Sequence, residues 1–96
     1  MLGAFEADGR QPTEDEVMLV TGMWDQIAAR LGRELTVLNP IAVKSQVVAG
    51  MNYWFKVQID GDEYIHVKIY KSLPHTQMPP EITEVQTGMT ADDPLG

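Results

Sequence analysis

Between positions 17 and 31 the apolar residues recur at spacings of three and four. Val17, Val20, Trp24, Ile27, Ala28 and Leu31 form one stripe, which Met23 widens. That period predicts a helix with one face turned to a core. Its start is marked by Thr13-Glu14-Asp15-Glu16, in which Thr13 can cap the first turn, Glu16 can reach back to the cap, and the acids suit the positive end of the helix dipole. Its stop is Gly32, placed where a left-handed C-cap would stand. From Leu35 the period shortens. Val37, Ile41 and Val43 suggest one strand face, with Asn39-Pro40 marking a bulge or an edge irregularity. Tyr53, Phe55, Val57 and Ile59 then alternate with Trp54, Lys56 and Gln58, and after an Asp60-Gly61-Asp62 hairpin turn Ile65, Val67 and Ile69 alternate with His66, Lys68 and Tyr70. Ser72 to Pro80 holds three prolines and reads as loop, and a weaker strand, roughly Ile82 to Thr87, follows it. A single helix and four antiparallel strands can bury that stripe only against one sheet face, so the fold class is α+β.

At 96 residues the chain is long enough for one modest core, and we expect a single domain over 1–96, with 1–12 as a mobile trunk and 89–96 as an acidic tail. Cysteine is absent, which excludes disulfides, thiolate metal sites and a cysteine nucleophile, and fits a reducing compartment. The start, Met1-Leu2-Gly3-Ala4-Phe5-Glu6, has no basic region followed by an apolar run, and no stretch is apolar enough to span a bilayer. We therefore expect a cytoplasmic protein without membrane partners, and leave open its release by a route that needs no signal peptide. A formal charge of −7 with seven scattered basic residues argues against nucleic acid as a partner. His66 and His75 lack the neighbouring ligands of a metal site, and His66 reads as a sheet-surface residue. Asp60-Gly61-Asp62-Glu63 is too short for a calcium loop and is read as a turn. No cofactor and no catalytic residue is expected. Trp24 belongs to the core by its helical spacing, and Trp54 is either sheet surface or a contact rim.

The segment that fits none of these roles is Gln46-Val47-Val48-Ala49-Gly50, between two strand-like runs. Surface hairpins turn on residues that tolerate positive φ or bond to the backbone, and Val-Val-Ala does neither. Stiff apolar side chains at a tip point to a surface that receives an apolar partner. Gly50 permits backbone conformations that a Cβ forbids.

Gln46-Val47-Val48-Ala49-Gly50 resembles the first hairpin loop of the cystatin superfamily of cysteine-protease inhibitors. Its flanks, Lys44-Ser45 and Met51-Asn52-Tyr53, together with Lys56-Val57, His66-Val67-Lys68, Ser72-Leu73-Pro74-His75 and Gln86-Thr87, are similar to the stefins, the small intracellular cystatins. Pro74-His75 and the lack of cysteine favour that branch over the secreted cystatins. The resemblance covers nearly the whole chain. It implies a cystatin-like fold, one helix across a twisted antiparallel sheet of four to five strands, the fifth formed by a short segment before the helix. It also implies a reversible, competitive, tight-binding inhibitor of papain-like cysteine proteases of the cathepsin L, B, H and S type, a monomer with domain-swapped dimers open to it.

The residues that the resemblance assigns to protease binding are Leu2, Gly3 and Ala4 in the trunk, Gln46, Val47, Val48, Ala49 and Gly50 in the first loop, and Leu73, Pro74 and His75 in the second. Gly9 competes with Gly3 as the trunk hinge. The chain departs from the family at Gln77-Met78-Pro79-Pro80, at Val85 and at the end, Asp92-Asp93-Pro94-Leu95-Gly96, which lacks a terminal aromatic. The rival reading is a non-inhibitory or re-targeted interaction module on the same scaffold. A small enzyme has little support, since no acid–base cluster stands out.

Overall fold

The computed structural model describes residues 9–95. Helices α1 (Glu14–Thr21) and α2 (Trp24–Leu31) are followed by strands β1 (Leu38–Val48), β2 (Gly50–Ile59), β3 (Glu63–Lys71) and β4 (Glu81–Met89). The strands form one antiparallel meander in the order β1-β2-β3-β4. The fold class is the α+β arrangement expected. Of the fifth strand that the resemblance implies, the described residues contain an isolated bridge, in which Arg10 and Val43 exchange both backbone hydrogen bonds at 3.0 and 2.8 Å.

The helical stretch starts as its sequence indicates. The Thr13 hydroxyl accepts from the Glu16 amide at 3.3 Å, and the Glu16 carboxylate accepts from the Thr13 amide at 2.9 Å, completing the capping box. It ends on Gly32 at φ 72°. In between it breaks at Gly22-Met23, which the apolar stripe does not reveal. Thr21 turns its hydroxyl back onto the Val17 carbonyl at 2.7 Å, a bond that bends helices, and Gly22 resists the helical conformation entropically.

Val20, Met23 and Ile27 pack against an inner sheet face made of Val43, Phe55, Val57, Ile59, Ile65, Val67, Ile69 and Ile82. Cross-strand pairs Phe55↔Val67 and Val57↔Ile65 place these side chains opposite one another, as the alternation requires. The irregularity at Asn39-Pro40 is a register shift between Pro40 and Ala42. It also changes the parity of β1. Leu38 and Pro40 oppose the core residues Ile59 and Val57, whereas beyond the shift Val43 opposes Phe55. Val37, assigned to the core face by simple alternation, therefore lies outside the strand and is 44 % exposed, while Leu38 is buried.

The outer sheet face carries Trp54, Lys56, His66, Lys68 and Tyr70, and residues 90–95 fold back onto it. Lys56 donates to the Ala91 carbonyl at 2.6 Å and Lys44 to the Leu95 carbonyl at 2.7 Å, with Leu95 buried beneath. His66 is consequently buried rather than at the sheet surface. Its imidazole is held below the usual histidine range, first by burial and then by the charge of Lys56. Trp54 is buried too, with the Lys68 ammonium 5.5 Å from its ring centroid. Trp24 is half-buried against the core, in line with its helical spacing.

Arg10 ties three elements together. Its guanidinium forks onto the Glu16 carboxylate at 2.6 and 2.7 Å and reaches the Ser45 hydroxyl at 3.4 Å. The Arg10 hydrogen bond is the main reason that the Glu16 carboxyl lies below its ordinary value, against the opposing effect of burial. A carboxyl depressed in the folded state stabilises fully above its unfolded value of 4.5 and loses that contribution as pH falls through its lower native value. Glu16→Gln should cost about 1–3 kcal/mol at neutral pH. Chemical denaturation across the acid range should show the difference between the two proteins shrinking below that pH; a constant difference would dissociate the carboxylate from this linkage.

Candidate functional site

The β1–β2 turn and the β3–β4 connection lie at one end of the meander, and the Asp60-Gly61-Asp62 turn lies at the other. The first is tighter than the pentapeptide suggests. β1 runs through Val48, β2 begins at Gly50, Gln46 pairs with Asn52 and Val47 with Met51, so Ala49 alone stands outside the register. Val47 and Val48 are 48 % and 41 % exposed at this tip. Such exposure of β-branched side chains beside a turn costs solubility, and no packing within the described chain relieves it.

Gly50 is where the tip meets the rest of the sheet. Its φ is 119°, a conformation that L side chains rarely adopt, and a Cβ built there would stand 2.5 Å from the Lys71 carbonyl oxygen and 3.0 Å from Ser72 Cα. Absence of a side chain thus lets the first loop back directly onto the root of the second. On the outer side, the Tyr70 hydroxyl donates to the Ala49 carbonyl.

The second loop is a 3₁₀ turn, Pro74–Thr76, with Pro74 at its first position, where a missing N–H costs nothing. Leu73, Pro74 and His75 are all exposed. Hydroxyls fasten this turn. Thr76 Oγ1 lies 2.8 Å from Ser72 Oγ and donates to the Leu73 carbonyl at 2.7 Å, while the Thr76 amide donates to the same carbonyl at 3.0 Å. Gln77 closes the turn in the left-handed region at φ 53°, and Met78 beyond it is 65 % exposed. Between the two loops lies a mostly apolar depression of about 290 Å³, lined by Val47, Val48, Met51, Tyr53, Leu73 and Pro74 among others.

The structure thus brings five of the residues assigned from sequence, Val47, Val48, Gly50, Leu73 and Pro74, around one depression, with Gln46 and Ala49 beside them in the first hairpin and His75 in the 3₁₀ turn. Leu2, Gly3 and Ala4 lie outside the described residues. Gly9 is described, and a Cβ there would press at 3.1 Å on both Ala42 and Leu95. Sequence reasoning missed Tyr70, Ser72 and Thr76, which hold the loops from behind. The available signal was the run of hydroxyl-bearing residues around Leu73-Pro74-His75.

The family profile described as a cystatin domain matches residues 29–92. A protein named stefin-C from Bos taurus is 35% identical over 91 residues, covering 91% of this chain and 90% of its own length. Cystatin-A of Felis catus is 49% identical over 93 residues, covering 97% and 93%. Leukocyte cysteine proteinase inhibitor 1 of Sus scrofa is 30% identical over 95 residues, covering 99% and 92%.

Two glycines separate backbone strain from crowding. Gly61 has φ 94° with no atom within 4 Å of where a Cβ would stand, whereas Gly50 has positive φ and a carbonyl in the way. Gly61→Ala should cost about 1–2 kcal/mol for the strained conformation alone. Gly50→Ala should cost a further 1–3 kcal/mol or so, because Lys71 and Ser72 must move. Equal losses on denaturant titration would show that the close approach of the two loops is not a tight constraint.

Proposed function

The chain belongs to the cystatin family, on its stefin branch, and from that premise we propose that it is a reversible, competitive, tight-binding inhibitor of papain-like cysteine proteases such as cathepsins L, B, H and S. It acts in the cytoplasm, and unconventional release from the cell would bring it to proteases elsewhere. It performs no chemistry. The observation that carries this reading is the pairing of two exposed apolar tips, Val47-Val48 and Leu73-Pro74, on one sheet end that is braced from behind.

The target is a concave, largely apolar cleft beside a catalytic thiolate. Val47 and Val48 fit that chemistry because a β-branched side chain has little rotamer freedom to lose on docking. Ala49, the outermost residue of the turn, is small enough to enter a narrow slot. A tip that rests beside the thiolate without presenting a peptide bond to it blocks the cleft uncut. Pro74 and His75 close the other edge, on a turn already fixed by Ser72 and Thr76. Leu2, Gly3 and Ala4 reach the unprimed subsites in this reading. The interface is of standard size, roughly 1,600 Å² in total. The monomer is the active form, since a domain-swapped dimer would draw Val48 to Gly50 out into a continuous strand and abolish the tip.

Titrating papain with the protein tests this directly. Inhibition should be relieved by raising substrate, and Val48→Asp, which forces an unpaired charge into an apolar cleft, should weaken it by roughly a hundredfold or more. Its thermal midpoint should stay near that of the parent because Val48 is already exposed. Undiminished inhibition by a folded Val48→Asp variant would remove the first loop from the mechanism.

A further inference from the structure

Ala49 is the residue of the first hairpin that the β1–β2 ladder leaves unpaired, and its carbonyl is met by a side chain from another strand. That side chain is Tyr70, on β3, opposite Asn52 of β2 and next to Lys71, whose carbonyl crowds Gly50. Its hydroxyl would lie 3.1 Å from a Cβ on Gly50, so the same oxygen that bonds the tip also fills space beside its glycine. From there the chain enters the second loop at Ser72. Tyr70 thus links the tip of the first loop to the strand that delivers the second.

We propose that Tyr70 is a positioning residue for inhibition, its hydroxyl holding the Ala49 carbonyl so that the tip of the unbound protein is already in its docking shape. The inference rests on the inhibitory reading of the first loop and adds a residue that the loop sequence itself does not contain. Without the hydroxyl, the tip loses one of its restraints, and a smaller fraction of molecules presents the competent turn. Apparent affinity falls by that fraction. The loss appears in association, because once docked the tip is held by the enzyme cleft rather than by Tyr70.

Tyr70→Phe keeps the ring and removes only the oxygen. Tyr64→Phe is the matched control, a tyrosine on the same strand paired with Gln58 toward the opposite end of the sheet. Rapid-mixing kinetics with papain should show the association rate constant of Tyr70→Phe reduced by a factor of up to about ten, the ceiling that loss of one net hydrogen bond sets. Its dissociation rate constant should remain within about a factor of two of the parent. In the free protein, amide hydrogen exchange at Ala49 and Gly50 should quicken in Tyr70→Phe and not in Tyr64→Phe. An unchanged association rate overturns the proposal, and so does a loss confined to dissociation, which would mean that the hydroxyl contacts the enzyme itself. If the parent protein fails to inhibit papain, the inhibitory reading falls. The exchange comparison then decides the positioning role alone, and equal exchange at Ala49 and Gly50 in parent and variant overturns it.

Discussion

The end of the sheet that carries both loops depends on a close approach that only glycine permits. Gly50 starts β2 at positive φ with its Cα set against the Lys71 carbonyl and the Ser72 backbone. Any side chain there would push the first hairpin away from the second loop, and the depression between Val47-Val48 and Leu73-Pro74 would open. The remaining devices act on this contact. Tyr70 bonds the Ala49 carbonyl from one side, and Thr76 and Ser72 lock the 3₁₀ turn from the other. Two short turns that would each be marginal alone are thereby tied to one another and to the sheet.

A fixed arrangement of the two loops matters in the proposed reading because the exposed groups are apolar and the cleft belongs to the partner. Binding through two flexible loops would lose the ordering entropy of both, whereas a preformed edge retains more of the gain from desolvation. The opposite pole of the molecule shows the contrast. There the Asp60 carboxylate accepts from the Thr36 amide and hydroxyl and from the Val37 amide, binding the α2–β1 connection to a turn made of Asp60, Gly61 and Asp62. The Asp60 carboxyl is correspondingly held below its ordinary value by those bonds, led by the Thr36 amide.

Much of this arrangement was legible in the sequence wherever a residue's role follows from its immediate neighbours. Alternation placed the inner faces of β2 and β3, Thr13 and Glu16 declared the capping box, Gly32 and Gly61 declared positive φ, and an apolar turn at Val47-Val48-Ala49 declared itself by violating turn chemistry. What escaped were effects that arise from distant parts of the chain. His66 and Trp54 are buried on the outer face, which residues 90–95 cover in part through lysine-to-carbonyl bonds that have no sequence period. Val37 lost its core position to the parity change between Pro40 and Ala42, and the helix broke where a threonine hydroxyl found a carbonyl. The bracing of the tip by Tyr70 crosses 21 positions and could not be read from the loop.

If one braced edge, made by both loops together, enters a cysteine-protease cleft, the two loops must respond to the enzyme as a unit. Amide hydrogen exchange of the protein, alone and saturated with papain whose catalytic cysteine is replaced by alanine, examines that edge without any enzyme turnover. Protection should rise together at Val47 to Gly50 and at His75 to Gln77, with the Asp60 to Glu63 turn unaltered. Protection centred on that turn or on the exposed side of α1, with both loops exchanging as in the free protein, would contradict it.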